Sequence, residues 1–322
     1  MSSDVSVIIP TYNRGAMLRE AIASVLAERG VSVELIVVDD GSTDGSCHEL
    51  EAMVQAAWPV VAATFRLIRQ TRNRGVAVAR NAGVAIATAP LIAFLDSDDL
   101  WAPTKLRRQI DFMRASPDCQ ICQTEEVWIR DGRRVNPGRR HQKRAGDLFI
   151  ASLRTCLISP SAVMMRTELF RAVGGFDQRM IAAEDYDLWL RILRHFEVGL
   201  IAERLVTRRA GHPGQLSAIV PAIDRFRILA LLKLLLTTDL ALERRAAIAE
   251  VLAEKCGIYA DGLGRRGRDA TAGFILDLAN SARTWVSGPD GQLDRAIAEL
   301  RAMLCREQQS ANGPESIDLH PR

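Results

Sequence analysis

The 322-residue chain lacks long hydrophobic runs, carries little net charge and has few cysteines, and each shortage excludes something. Its most apolar stretch, ILALLKLLL at 228–236, is too short for a membrane span of about 20 residues and holds Lys233 inside it. The opening MSSDVSVIIP has neither a positive start nor a long apolar core, so no secretory leader is expected. A net charge of +3 supplies no global field for nucleic acid. The six cysteines are scattered, which suits reduced thiols in a cytoplasm. Cys119 and Cys122 form a CxxC, but no second pair follows at zinc spacing, and two inert thiols are expected. Neither GxxxxGK[ST] nor a strand followed by GxGxxG occurs, which makes P-loop ATPases and dehydrogenases remote. No internal repeat is evident.

What is present is an ordinary globular balance, 48% hydrophobic and 25% charged, long enough for one large domain or two smaller ones. The first hundred residues alternate strand and helix signals. VSVIIP (5–10), VELIVV (33–38), FRLIR (65–69) and LIAFL (91–95) read as strands, the continuous apolar runs among them as buried ones. Between them, Leu18, Ile22, Val25 and Leu26 recur at helical spacing, Glu49 to Trp58 can be helical, and the small residues of GVAVARNAGVAIA (75–87) suit a helix packed tightly on a sheet. This order predicts a parallel sheet covered by helices. From 101 to 215 the rhythm becomes irregular, with basic loops and one strong helix, DYDLWLRILRHF. From 216 the pattern is mainly helical, with a break expected at YADGLGRRGRD, and the residues from Ala311 are expected to be disordered.

Ligands of a parallel sheet bind beyond the carboxyl ends of its strands. Pro10-Thr11, Asp39-Asp40 and Asp96-Ser97-Asp98-Asp99 each lie at such an end. Crowded carboxylates resist ionisation unless a cation joins them. Asp96 and Asp98, two apart on extended backbone, can offer hard oxygens to Mg²⁺ or Mn²⁺. So few protein ligands imply that substrate phosphates complete the shell, pointing to a diphosphate. An acidic turn capping the next element is the plainer alternative.

The ordered set VSVIIPTYNR, VELIVVDDGSTDGS, NRGVAVARNAG, IAFLDSDD, GGFD and EDYDLWLR, over residues 4–215, resembles the inverting family 2 glycosyltransferases. The resemblance implies an α/β GT-A fold, a Rossmann-like and mostly parallel sheet flanked by helices, here with a C-terminal helical extension. It implies a nucleotide-sugar-binding half at 1–100, an acceptor-binding and catalytic half at 101–215, a helical region at 216–310 and a tail at 311–322. It places Pro10, Thr11 and Asp40 at the nucleotide base, Asp96 near the ribose and Asp98 on the metal, Mn²⁺ or Mg²⁺. Arg80 becomes a basic contact to the nucleotide, with Asn73 and Gly75 shaping the same loop. Asp185, after Glu184, becomes the catalytic base, and His212 approaches the metal or diphosphate. A charge preference of the helix N-terminus is the plainer account of Glu184 and Asp185.

The partners implied are a nucleotide-diphospho-sugar donor and a saccharide or lipid-linked acceptor, in cell-surface polysaccharide or lipopolysaccharide assembly, in the cytoplasm or peripheral at the inner membrane face. Arg133, Arg134, Arg139, Arg140, Lys143 and Arg144 lie in a loop without intervening acids, which suits an anionic acceptor, a membrane surface or simple solvation. Without aromatic interleaving, that loop does not suit single-stranded nucleic acid. The helical tail leaves homodimerisation and membrane docking both open. A non-catalytic nucleotide-sugar-binding module, a DxD phosphatase and a nucleotidyltransferase are the rival functions.

Overall fold

The structure, a computed structural model, describes residues 3–47, 50–57, 63–136, 138, 141–212, 215, 220, 222–288 and 291–311. The expected disorder beyond Ala311 and the roles expected of Arg139 and Arg140 lie outside the described residues. In chain order the elements begin β1 (Val5–Thr11), α1 (Gly15–Leu26), β2 (Val33–Asp39), α2 (Leu50–Ala57), β3 (Ala63–Arg69), α3 (Val76–Ile86), β4 (Leu91–Phe94), β5 (Leu100–Trp101), α4 (Lys105–Ala115), β6 (Ile121–Arg130) and β7 (Arg133–Val135). There follow α5 (Phe149–Arg154), β8 (Val163–Arg166), α6 (Thr167–Ala172), α7 (Glu184–Leu193), β9 (Gly199–Ala210), α8 (Asp224–Leu235), α9 (Leu242–Gly264), α10 (Asp269–Ser281) and α11 (Gly291–Ala311).

Two compact units result. The first comprises Met1–Leu148, Leu157–Ile181 and His195–Gln215; the second comprises Phe149–Cys156, Ala182–Arg194 and Leu216–Arg322. All the strands belong to the first, in the order β3-β2-β1-β4-β8-β6-β9-β5, with β7 paired to β6. Strands β3, β2, β1 and β4 are parallel, and β1 and β2 are buried along their whole length, as their unbroken apolar runs require. Strand β8 then joins β4 antiparallel, and β6 and β9 continue the sheet parallel to each other. The chain order reverses between β1 and β4, the switch point where a parallel sheet opens a crevice at its carboxyl edge. In-register pairing brings Thr11 beside Asp39, and the Leu95 N–H bonds to Ile8 O (3.0 Å), so the two aspartate loops and the end of β1 share that edge.

Two glycines fix close approaches there. Gly41, in DDGS, sits at φ +79°, and a Cβ on it would lie 2.5 Å from the Arg72 backbone carbon. Gly83 lets α3 settle on β1, since a Cβ would lie 2.6 Å from Ile8 Cγ2. The tight packing expected of 75–87 is therefore a backbone requirement.

The second unit is helical in its described part. Its α8 contains the ILALLKLL run, with Leu229, Leu231, Leu232 and Leu235 buried. Arg245 of α9 donates to the carbonyls of Leu235 (2.9 Å), Thr237 (2.6 Å), Trp285 (2.5 Å) and Val286 (2.8 Å), tying the ends of three segments together. The break expected at YADGLGRRGRD is narrower than that motif: α9 runs through Gly264, and only Arg265–Arg268, with Gly267 at φ +68°, leave the helix. Among the described residues no helix is long and apolar enough to cross a membrane.

Replacing Gly83 by alanine sets a helix-propensity gain of about 1 kcal/mol against an overpacking cost of typically about 1–3 kcal/mol. Ile8 is fully buried and cannot move aside, so the clash wins. Gly83→Ala should lower the urea midpoint, and the same change should cost less in an Ile8→Ala background, where the clashing Cγ2 and Cγ1 are gone.

Candidate functional site

The DSDD segment closes as a turn, with the Asp99 N–H on Asp96 O (2.9 Å). Asp96, Asp98 and Asp99 each bring a carboxylate oxygen within 4.8 Å of the others. The three charges are managed by different elements. Arg80 of α3 donates from Nη2 to Asp96 Oδ1 (2.7 Å). His212 Nε2 and Asp98 Oδ2 lie 2.8 Å apart. Asp99 accepts the Ser161 hydroxyl at Oδ2 (2.6 Å) and the Arg209 N–H at Oδ1 (2.9 Å). Burial, then the neighbouring aspartates, push the Asp98 and Asp99 carboxyls up, Asp99 strongly; His212 and Arg14 pull Asp98 back. Both Asp99 oxygens are therefore engaged, leaving Asp96 and Asp98 as the oxygens that face outward, with His212 beside them. Such a hard-oxygen set fits Mg²⁺ or Mn²⁺.

Ser161 is the hub that sequence reasoning missed. It lies in the 3-10 turn Pro160–Ala162 before β8, is 1% exposed, and accepts the Asp96 N–H (3.1 Å) while donating to Asp99. Its carbonyl accepts the Trp101 Nε1–H (2.8 Å). Arg209 was also missed: besides its amide on Asp99, its guanidinium bonds the Asp98 carbonyl and Glu20. A serine inside the apolar run LISPSAVMM is the only local hint of Ser161.

The residues expected at the nucleotide base take clear positions. Pro10 and Thr11 end β1, and the Thr11 hydroxyl is buried without a hydrogen-bond partner. Asp40 accepts the N–H groups of Arg74 and Gly75, both at 2.8 Å, one on each oxygen. Asn73 Oδ1 also accepts the Gly75 N–H (3.0 Å), so Asp40 and Asn73 together mould the loop leading into α3. Burial pushes the Asp40 carboxyl up to about 6 against the pull of those amides. Arg80 is nearly buried, directed to Asp96, and stands 5.1 Å over the Phe176 ring. Asn81 locks the GGFD loop by exchanging bonds with the Phe176 backbone at 2.8 and 3.0 Å.

Of the basic loop, Arg133 and Arg134 are exposed on β7, but Lys143 is not available to a ligand. Its ammonium is buried against Glu126 (3.3 Å), Leu157 O (3.1 Å) and Ser159 Oγ (3.1 Å). An unbroken run of cations reads as solvated, yet the fold turns this one inward to meet an acid from β6. Cys119 and Cys122 are not joined by a disulfide; Cys122 is buried and Cys119 half-buried.

In the second unit, Glu184 and Asp185 open α7. Ala183 before them adopts the left-handed region (φ 56°, ψ 23°), a strained conformation for a residue with a Cβ. Glu184 is buried and Asp185 half-buried. The Asp185 carboxylate accepts the Tyr186 N–H (2.7 Å) and the Cys156 thiol (3.7 Å), while the Tyr186 hydroxyl anchors the turn on Leu153 O (2.5 Å).

Residues 6–174 match the family described as Glycosyl transferase family 2. The chain belongs to glycosyl transferase family 2. It is 30% identical over 210 residues to an uncharacterized glycosyltransferase of Rickettsia typhi, covering 64% of this chain and 63% of that protein. It is 44% identical over 130 residues to the succinoglycan biosynthesis protein ExoO of Rhizobium meliloti, covering 40% of this chain and 35% of the other. The chain thus spans less than two thirds of the length of these family 2 relatives. Its fold resembles S. aureus TarS 1-349 in complex with UDP-GlcNAc (TM-score 0.67, 18% identity, 96% of this chain and 93% of that one). It also resembles the mannosyltransferase PcManGT from Pyrobaculum calidifontis in complex with GDP-Man and Mn²⁺ (TM-score 0.55, 20% identity, 94% and 87%). At these identities the likeness is one of fold, and that fold is the expected GT-A.

Two outcomes test this geometry. Asp40 has a folded-state value near 6, above its ordinary 3.8, so its contribution to stability is complete below pH 4 and is lost as the pH rises through 6. Wild type should therefore lose stability relative to Asp40→Asn between pH 4 and 7, and the difference should be level above that; a difference independent of pH would rule the burial effect out. Ser161→Ala leaves a buried Asp99 oxygen without its donor, which costs about 1–3 kcal/mol. An unchanged urea midpoint would rule out the Ser161 clamp.

Proposed function

We propose that the protein is a divalent-cation-dependent, inverting glycosyltransferase. It moves a sugar from a nucleotide-diphospho-sugar to a hydroxyl of a saccharide or lipid-linked acceptor in cell-surface polysaccharide or lipopolysaccharide assembly. The observation that carries this is the pair of outward carboxylates, Asp96 and Asp98, at the switch-point edge, within the same unit as the unpartnered Thr11 hydroxyl. The nucleotide sugars in the titles of two structural neighbours, the Mn²⁺ of one, and the succinoglycan role of ExoO support the same assignment.

In this proposal Pro10, Thr11 and the loop held by Asp40 and Asn73 receive the nucleotide base, and Asp96, oriented by Arg80, faces the ribose. Asp98 and His212 would hold the cation, which would supply positive charge for the departing diphosphate. Asp185 accepts the proton of the acceptor hydroxyl as its oxygen bonds to the anomeric carbon and the bond to the diphosphate oxygen breaks. Glu184, buried beside it, supports that turn of α7. Attack opposite the leaving group inverts the anomeric centre.

Asp98→Ala should abolish the Mn²⁺-dependent thermal shift given by UDP or GDP. Asp185→Asn should keep that shift while losing transfer by about 10²–10⁴-fold, the usual size of a general-base effect. Equal shifts in EDTA and in Mn²⁺ would remove the cation from the proposal. Normal turnover by Asp185→Asn would remove the base.

A further inference from the structure

Strand β9 slips its register twice against β6. Thr124 pairs with Ile201, Glu125 with Arg204 and Glu126 with Val206, so Ala202, Glu203 and Leu205 are extra residues in β9. Irregularities of this kind re-aim side chains and are frequent beside active sites. Here the extra residues, together with Arg204, line a cavity of about 770 Å³ within the first unit. Trp128, Arg134, Asn136, His141 and Gln142 contribute further lining.

The buried end of this cavity is built from the Glu126–Lys143 pair. A buried ion pair gains little over an apolar pair of the same volume, so it explains itself poorly as a stability device. It does hold an aromatic ring. Glu126 Oε2 accepts the Trp128 Nε1–H (2.9 Å), with Lys143 and Ser159 anchoring the other oxygen. Arg208 lies 5.0 Å over the indole and His141 packs at 5.3 Å, tilted by 48°. The indole is thus fixed at its polar edge and half-exposed.

We propose that this cavity is a subsite for an uncharged oligosaccharide segment of the acceptor, which deepens the transferase function proposed above and rests on it. A fixed indole with planar polar groups around it (Glu125, Asn136, Gln142 and Arg204) matches the alternating apolar faces and hydroxyl rims of sugar rings. Among the described residues that line the cavity the charges balance: apart from the internal Glu126–Lys143 pair, Glu125 and Glu203 stand against Arg134 and Arg204. A phosphorylated or uronic-acid chain would call for a surplus of cations, which the inward turn of Lys143 removes. Strand β9 also sets the scale. Arg204 lines the cavity and Arg209 touches the DSDD turn; their partners on β6, Glu125 and Ile129, are four residues apart, about 13 Å in extended chain. That separation is bridged by an oligosaccharide and not by one sugar, so the subsite reads chain already assembled.

The test uses the full chain in EDTA, with saturation-transfer NMR and three probe series: malto-, cello- and galacto-oligosaccharides of two and six residues, with hexagalacturonate as the charged control. At least one neutral hexasaccharide should bind about tenfold more tightly than its disaccharide, a difference of about 1.4 kcal/mol. Trp128→Ala should abolish that binding. Arg204→Ala combined with Asn136→Ala, at two exposed positions, should weaken it by a similar factor and serves if the tryptophan variant does not fold. The UDP and Mn²⁺ thermal shift should be the same in wild type and variants. Absence of neutral hexasaccharide binding in all three series, binding that survives the variants, or equal binding of hexagalacturonate overturns the subsite. Saccharide binding without any nucleotide shift in wild type would instead overturn the transferase proposal, and with it the assignment of the bound saccharide as acceptor.

Discussion

Three carboxylates held within 4.8 Å of one another are the constraint around which the first unit is organised. Left alone they would repel and open the turn. Instead each is assigned a partner from a different part of the chain: Arg80 from α3, His212 from beyond β9, and Ser161 with the Arg209 amide for Asp99. The partners are not equivalent. Arg80 and His212 leave Asp96 and Asp98 with oxygens to spare, whereas Asp99 is fully engaged by neutral donors. One acid of the three is thus converted into a structural joint, and the other two keep oxygens that the fold does not engage.

That arrangement also accounts for the change of sheet direction. A purely parallel sheet would put another carboxyl end, with more loop, beside β4. Antiparallel β8 instead begins next to the end of β4, so the turn before it, Pro160–Ala162, delivers Ser161 to the DSDD backbone. Beyond β8, β9 runs parallel to β6 and ends with Arg209 against the same turn. The antiparallel insertion and the long β9 are two routes by which distant sequence reaches one set of oxygens.

The parallel half of this design was legible because its signals are local. Strands buried on both faces are unbroken apolar runs, and the loops at their ends are loaded with Asp, Gly and Ser for reasons of turn geometry and charge. The antiparallel half was not, because β6 and β9 mix charged and apolar residues, and their register slips have no composition of their own. Ser161 and Asp99 are 62 residues apart, and Arg209 reaches Asp99 through a backbone amide, which any residue could supply. Lys143 shows the opposite failure. A plausible local pattern, a run of basic residues, was broken by one long-range partner, Glu126.

The acids of α7 show how one helical turn separates structure from chemistry. A carboxylate paired with cations through charge-assisted hydrogen bonds is held in place by them and serves as a joint. Asp187 is so paired, with Lys233 (2.5 Å) and Arg191 (2.8 Å), and is nearly fully buried. It anchors α7 to α8. Asp185 accepts only a backbone amide and a thiol among its described contacts, neither of them charged, and it remains half-exposed. Its direction is set by the strained Ala183 and by the Tyr186 anchor. Of the two aspartates in EDYD, the one whose described contacts are uncharged is the one given the role proposed for it.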